Sequence, residues 1–159
     1  MAKQACPTIW TVGYEGSAQH DVLELLAGAG VTRLVDVRIR AQSRKAGFSK
    51  TSLGAGLATI GIAYEHLRDL GTPIDIRAEF RAGNTEEGRA QYRAYLTGDP
   101  AAQLAFDALR DRLDHDRVAI LCFEHDHRVC HREVIVEELV GRHSVSVVHL
   151  GAPVARTSM

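Results

Sequence analysis

The sequence is poor in the features that mark specialised classes of protein. Its 159 residues include only 3 cysteines and 4 prolines, which excludes a disulfide scaffold or a collagen-like chain. Positive charge is not in excess, because the formal net charge is −1, so no global field would draw the chain onto nucleic acid. No apolar run approaches the roughly 20 residues that a membrane span needs. Because the overall charge is close to balanced, any site for an anion must come from a local cluster of basic residues.

What remains is an ordinary globular composition, with 45% hydrophobic and 25% charged residues. A chain of this length can bury a full core, so we expect a single domain over 1–159, its core at about 8–150 and a flexible tail at 151–159. An odd number of cysteines, together with an N-terminal segment MAKQACPTIW that lacks the apolar stretch of a signal peptide, predicts a cytoplasmic protein.

Short apolar, β-branched segments alternate with helical patterns along the chain. Strands are predicted at 9–12, 34–37, 62–66, 118–121 and 145–148, a mostly helical region at 74–114, and a helix at about 131–140. This alternation predicts an α/β fold: one three-layer domain with a mostly parallel five-stranded sheet and helices on both faces. By analogy with other five-stranded sheets we expect the strand order 3-2-1-4-5.

Polar or ionisable residues follow the predicted strands at their carboxyl ends. In open α/β sheets ligands bind in the crevice outside those ends, so these residues predict a binding site; the alternative is a set of solvated loop residues. In chain order they are Tyr14, Asp36, Arg38, His66, Cys122, Glu124 and His149.

The densest cluster is LCFEHDHRVCHRE at 121–133, in which Cys130 stands where a helix should begin. A helix amino terminus and a neighbouring arginine lower the pKa of a thiol, so Cys130 is a candidate nucleophile, with Arg132 binding an anion and Glu124 acting as acid or base. Alternatively, Cys130 is a small buried core residue beside a capping His131. We interpret Cys122 as packing at a strand end.

Two further interpretations of this segment receive less support. A metal could use Cys130 with nearby side chains, but the spacing matches neither a C-x-x-C pair nor an H-E-x-x-H helix. The C-x₅-R spacing from Cys122 to Arg128 is that of a thiol phosphatase loop. The loop here lacks glycine, which the tight turn around a phosphate favours, and it contains two acidic residues, which would repel a phosphate. The other ligands considered for a metal are His131, Glu124, His125 and His127.

A second cluster combines DVR at 36–38 with SRKAGFSK at 43–50. Asp36 and Arg38 leave their strand on the same side, and Asp36 is a candidate general base. A local basic patch is formed by Arg38, Arg44 and the lysines at 45 and 50, beside Phe48, which we interpret as an exposed aromatic. This patch could bind a phosphate, a nucleotide or single-stranded nucleic acid. The alternative is a solvated loop with Phe48 in the core.

These motifs, with VGYEG at 12–16 and GIAYEHLRDLG at 61–71, resemble the domain of unknown function family 488 in the same order, from about Thr11 to His149. The Cys-His-Arg signature of that family falls on residues 130–132, and its Cys-x-Glu motif on 122–124. Residues 40–42 and 126–127 depart from it, since many members have proline there. The resemblance implies a compact α/β domain and leaves the reaction unassigned.

Two functions follow as expectations. The first is an enzyme acting on a phosphate- or nucleotide-like anion; the second is a non-catalytic module that binds nucleic acid or a nucleotide through the loop from Arg38 to Lys50. No metal and no membrane partner is expected. The candidate residues are Cys130, Asp36 and Glu124 for catalysis, Arg38, Arg44, Arg132 and Tyr14 for the anion, and His131, His66 and His149 lining the site.

Overall fold

Five parallel strands form one sheet in the computed structural model, which describes residues 6–151. The predicted tail therefore lies, from residue 152 onward, outside the described residues. The predicted α/β class and parallel sheet are confirmed. The strands are β1 (Thr8–Gly13), β2 (Arg33–Asp36), β3 (Ala63–His66), β4 (Val118–Cys122) and β5 (Ser146–His149).

Helices cover both faces of this sheet. Helices α1 and α2 pack on the face that carries Trp10 and Leu34, whereas the other four helices pack on the face that carries Ile9 and Val35. Between residues 6 and 151, no helix has both the length and the apolar character needed to cross a membrane. The helices are α1 (Gln19–Gly28), α2 (Lys50–Thr59), α3 (Ile74–Arg81), α4 (Thr85–Gly98), α5 (Pro100–Arg112) and α6 (Arg132–Arg142).

The strand order is β3-β2-β4-β1-β5, so the expected order 3-2-1-4-5 is wrong. Strands β1 and β2 are not neighbours; β4 lies between them and pairs with both, Val118 standing opposite Ile9 on one side and Arg33 on the other. The long helical region α3–α5 carries the chain back over the sheet and inserts β4 into this gap.

This order brings the ends of β1, β2 and β4 together at the middle of the carboxyl edge. Gly13 pairs with Cys122, and Asp36 pairs with Leu121. The chain after β4 folds closely over Gly13, where a Cβ atom would stand 1.7 Å from the carbonyl oxygen of Glu124. Only glycine fits this approach, and the loop that follows β4 is thereby held against the end of β1.

Candidate functional site

A cavity of about 370 Å³ opens at the carboxyl edge of the sheet. Its walls come from the residues after β1, β2 and β4, from α3, and from the segment that leads into α6. Five of the predicted site residues line it together: Tyr14, Arg38, Glu124, Cys130 and His131.

Two buried cysteines lie in the wall of the cavity. The sulfurs of Cys122 and Cys130 are in contact, and both side chains are 1% exposed. Their Cα atoms are 7.8 Å apart, which is above the usual range for disulfides, so a bridge between them would draw the two backbone segments together. Cys122 packs in the core as the last residue of β4, as the sequence predicted, and in addition its sulfur lies beside that of Cys130. Cys6, the third cysteine, is exposed.

Arg132 is buried behind the cavity and does not line it. Its guanidinium donates to Cys122 Sγ at 2.7 Å, to the carbonyl oxygens of Glu124 at 2.5 Å and His125 at 3.0 Å, and to Thr11 Oγ1 at 3.3 Å. Burial lowers the pKa of Arg132 to about 10, so the group stays charged at neutral pH. Arg132 therefore holds the loop after β4 and places a positive charge against the Cys122 sulfur.

His131 is oriented by the backbone of β2. Its Nε2 lies 2.8 Å from the carbonyl oxygen of Val37, which can only accept, so Nε2 carries the proton and donates. The lone pair is then on Nδ1, which lies 3.6 Å from Cys130 Sγ. Burial lowers the pKa of His131 to about 4, so the ring is neutral at pH 7 and Nδ1 can accept a hydrogen bond from the thiol of Cys130.

Glu124 stands in the same relation to the other cysteine. Its Oε2 lies 3.5 Å from Cys122 Sγ, and the side chain lines the cavity. Burial raises the pKa of Glu124, while the charges of Arg132 and Arg77 partly offset this. A carboxyl group with a raised pKa holds a proton more readily than an exposed glutamate does, so Glu124 is placed to exchange a proton with the Cys122 thiol.

Asp36 lies behind the cavity wall, fully buried, and holds Arg38 in a two-pronged ion pair. Arg38 Nε donates to Asp36 Oδ1 at 2.9 Å and Nη2 donates to Oδ2 at 2.6 Å, while the Tyr64 hydroxyl also donates to Oδ2 at 2.6 Å. Burial by itself would lower the pKa of Arg38, but the hydrogen bonds and charge of Asp36 outweigh it and the pKa is raised. Asp36 is placed to position Arg38, and its predicted role as a base stays a prediction.

Most of the donors of Arg38 are used within the protein. Its Nη1 donates to the carbonyl oxygen of Phe48 at 2.8 Å and to the Tyr14 hydroxyl at 3.2 Å. With Nε and one N–H of Nη2 directed at Asp36, one of the five N–H groups of the guanidinium is left for a ligand. Arg38 therefore offers a bound anion its charge and one hydrogen bond.

Three arginines that were not among the predicted site residues also line the cavity: Arg40, Arg77 and Arg81. All three are exposed, and none takes part in a salt bridge among residues 6–151. Arg77 and Arg81 are four residues apart on α3, which puts them on one face of the helix; that spacing was the available signal. With Arg38, four arginines face one carboxylate, Glu124, in this cavity.

Arg44 and His66 lie in a different place from the thiols. They line a second, more open cavity of about 690 Å³ with Ser43 and Lys50, and Gln42 lines both cavities. Phe48 is 0% exposed and stacks on Tyr14 with ring centroids 4.3 Å apart, so its interpretation as an exposed aromatic is wrong. Phe48 anchors its loop by placing its ring in the core, so the ring is not available at the surface.

His149 lies apart from both cavities. Its Nδ1 is 2.6 Å from Thr11 Oγ1, and its ring stacks on His127, which pairs with Glu133. Burial lowers the pKa of His149.

Two groups of side chains have the composition of metal ligands within the described part of the chain. One is this histidine cluster; the other is Cys122, Cys130 and His131, whose ligand atoms lie within 4.8 Å of one another. Arg128, the last residue of the C-x₅-R spacing, pairs with Asp126.

Comparison with known proteins identifies one family and no closer relative. No curated protein and no solved structure matches the chain. The model of the family described as domain of unknown function DUF488 matches residues 19–139, which include the Asp-Val-Arg, Ser-Arg and Cys-His-Arg motifs. This match covers most of the chain, and the protein belongs to the DUF488 family.

Proposed function

We propose that this protein is an enzyme that binds a small phosphate- or nucleotide-like anion in the arginine-lined cavity and reacts with it through the thiol of Cys130. The observation that carries the proposal is the coincidence of a buried thiol with four arginines and one carboxylate in a cavity of about 370 Å³. A cavity with this charge balance favours an anion, and the thiol is the strongest potential nucleophile in its wall.

The arginines have separate roles in this proposal. Arg77 and Arg81 extend from α3 and form no salt bridge within residues 6–151, and they bind the anion from the open side. Arg38, held by Asp36 and Tyr14, contributes a fixed charge and one N–H from the side of the sheet. Fixed and exposed cations together would orient the anion as well as attract it.

The thiol of Cys130 is activated by its neighbours. His131 Nδ1 can accept a hydrogen bond from the thiol and so orients it, and the amino terminus of α6, which begins at Arg132, favours the thiolate. Glu124 faces the same cavity and can give a proton to a leaving group, because its pKa is raised by burial.

The experiment uses reduced protein in which Cys6 and Cys122 are replaced by serine, so that Cys130 supplies the thiol that is measured. Rates of alkylation by iodoacetamide against pH would give the pKa of Cys130, and calorimetry with inorganic phosphate and with adenosine monophosphate would give the affinity for anions. We expect a thiol pKa below about 7.5 and weaker anion binding in Arg77→Ala and Arg81→Ala. A thiol pKa near 8.5, with anion binding unchanged in Cys130→Ser, would contradict the proposal.

A second function is favoured by the separate cavity at Arg44. Its walls carry Arg44, Lys50 and His66 and no acidic residue, so a non-catalytic module for nucleic acid or a nucleotide would bind there. Fluorescence polarisation with labelled single strands, duplexes and nucleotides at low and high salt tests this function. A steep loss of binding with salt that Arg44→Ala and Lys50→Ala reduce would support it, whereas flat polarisation at low salt would exclude it.

A further inference from the structure

Cys122 gives the cavity a second thiol that the proposed function does not use. We infer that Cys122 and Cys130 act together as a dithiol that reduces a small disulfide of negative charge. This inference rests on the proposed function, since it uses the same cavity and the same arginines, and it adds a substrate class and a second catalytic residue. Its basis is that the two sulfurs are in contact and that each has a polar hydrogen-bond partner of its own.

The two thiols have separate and different surroundings. Cys130 Sγ lies 3.6 Å from His131 Nδ1, which carries a lone pair because Nε2 donates to Val37. Cys122 Sγ lies 3.5 Å from the Glu124 carboxyl. A purely structural disulfide needs no proton acceptor, whereas a pair of thiols that is oxidised and reduced must lose and regain a proton at each sulfur.

The charge around Cys122 favours its thiolate. Arg132 Nη1 donates to Cys122 Sγ at 2.7 Å, and the guanidinium is buried, so this interaction is weakly screened by water. A hydrogen bond from a cation stabilises the sulfur anion and makes Cys122 ready to attack a neighbouring disulfide. Cys122 and Cys130 both line the cavity, and we assign the first attack on the substrate to Cys130, which has the neutral imidazole of His131 beside it.

The shape and lining of the cavity favour an organic disulfide over a peroxide. A volume of about 370 Å³ far exceeds that of a peroxide, and the aromatic side chains Tyr14, Phe80 and Phe123 line it beside the arginines. Aromatic walls accommodate carbon and sulfur groups, whereas Arg77 and Arg81 attract carboxylates or other anionic groups at the ends of such a molecule.

The reaction balances in two exchange steps. The Cys130 thiolate attacks one sulfur of the substrate RS–SR, a Cys130–S–SR bond forms, and the first RS⁻ leaves and is protonated. The Cys122 thiolate then attacks Cys130 Sγ, the Cys122–Cys130 disulfide forms, and the second RS⁻ leaves. Two electrons pass from the dithiol to the substrate, and an external thiol reductant returns the protein to its reduced form.

The test compares three disulfides of different charge with reduced protein in the Cys6→Ser background. The probes are glutathione disulfide, which is anionic, hydroxyethyl disulfide, which is neutral, and cystamine, which is cationic. Loss of free thiols and intact-protein mass are followed with time. We expect glutathione disulfide to react at least about tenfold faster than cystamine, and this preference to disappear in Arg77→Gln/Arg81→Gln while hydroxyethyl disulfide reacts as before.

The Cys122→Ser variant isolates the second step. It should stop at one glutathione per chain on Cys130, whereas protein with both cysteines should release both glutathiones and form the internal disulfide. Accumulation of glutathione on Cys130 with both cysteines present would overturn the inference, as would a faster reaction with hydrogen peroxide. Failure of the proposed function would be detected separately from failure of this inference, because alkylation of Cys130 and binding of phosphate can both be measured in Cys122→Ser.

Discussion

Replacing Asp36 by asparagine should destabilise the protein strongly although the two side chains have nearly the same shape. The Asp36 carboxylate is 0% exposed and accepts four hydrogen bonds: from Arg38 Nε, Nη2 and backbone N–H, and from the Tyr64 hydroxyl. Asparagine removes the negative charge and turns one acceptor into a donor that faces the donors of Arg38. The guanidinium of Arg38, 7% exposed, would then be a buried cation without a counter-ion.

Breaking a buried ion pair by removing one partner typically costs about 3–5 kcal/mol, and we expect Asp36→Asn to fall in that range. Domains of this kind have a free energy of unfolding of about 5–15 kcal/mol, so the variant should still fold at low temperature. Urea unfolding followed by circular dichroism measures the loss. Tyr64→Phe is the matched control, because it removes one hydrogen bond to the same carboxylate and should cost about 1.5–3 kcal/mol.

The double variant Asp36→Asn/Arg38→Gln separates the ion pair from general damage to the core. With both charges gone, no unpaired cation is left, so the loss should be smaller than the sum of the two single losses by at least about 1 kcal/mol. A loss below about 1 kcal/mol for Asp36→Asn, or additive losses in the double variant, would refute the description of this pair as a buried, mutually dependent unit.

Three further predictions concern His131, Gly13 and Tyr92. The pKa of His131 falls from 6.5 in the unfolded chain to about 4 in the folded protein, because burial disfavours the charged ring. Its contribution to the free energy of unfolding is therefore fully present above pH 6.5 and declines by about 3 kcal/mol as the pH falls to 4. Urea unfolding of His131→Gln at a series of pH values should lack this decline. Gly13→Ala should cost more than about 2 kcal/mol and shift the loop after β4 in amide spectra, whereas Gly141→Ala, with open space around it, should change stability by less than about 1 kcal/mol. Tyr92→Phe removes the hydroxyl that donates to the Leu70 carbonyl oxygen at 2.6 Å and should lower the melting temperature through a loss of about 1–2 kcal/mol.

The alternation of strands and helices was predictable because apolar, β-branched segments such as 118–121 are continuous and bounded by polar loops. The strand order was not predictable, because local sequence patterns do not show whether β1 and β2 are neighbours or leave a gap for another strand between them. That gap depends on how the region from Ile74 to Arg112 packs on the sheet, which is a tertiary property.

The candidate site was predictable in part for the same reason. Residues next to strand ends, such as Tyr14, Arg38 and Glu124, were found because the carboxyl edge of a parallel sheet collects them, and Cys130 was found because it precedes a predicted helix. Arg77 and Arg81 were missed because they reach the cavity from a helix distant in sequence. The pairing of Cys122 with Cys130 depends on the bend of the chain between them, which Arg132 holds through two backbone carbonyls.

The central position of β4 also bears on synthesis of the chain. Ile9 pairs with Val118, so the first strand leaves the ribosome long before its inner neighbour has been translated. Until then β1 and β2 each lack the strand between them, and their exposed edges are open to incorrect pairing. Insertion of β4 fills the gap between β1 and β2 and, in the same event, brings Cys122 beside Tyr14 and Arg38. A nascent chain that ends before β4 therefore has neither a complete sheet nor a reactive centre.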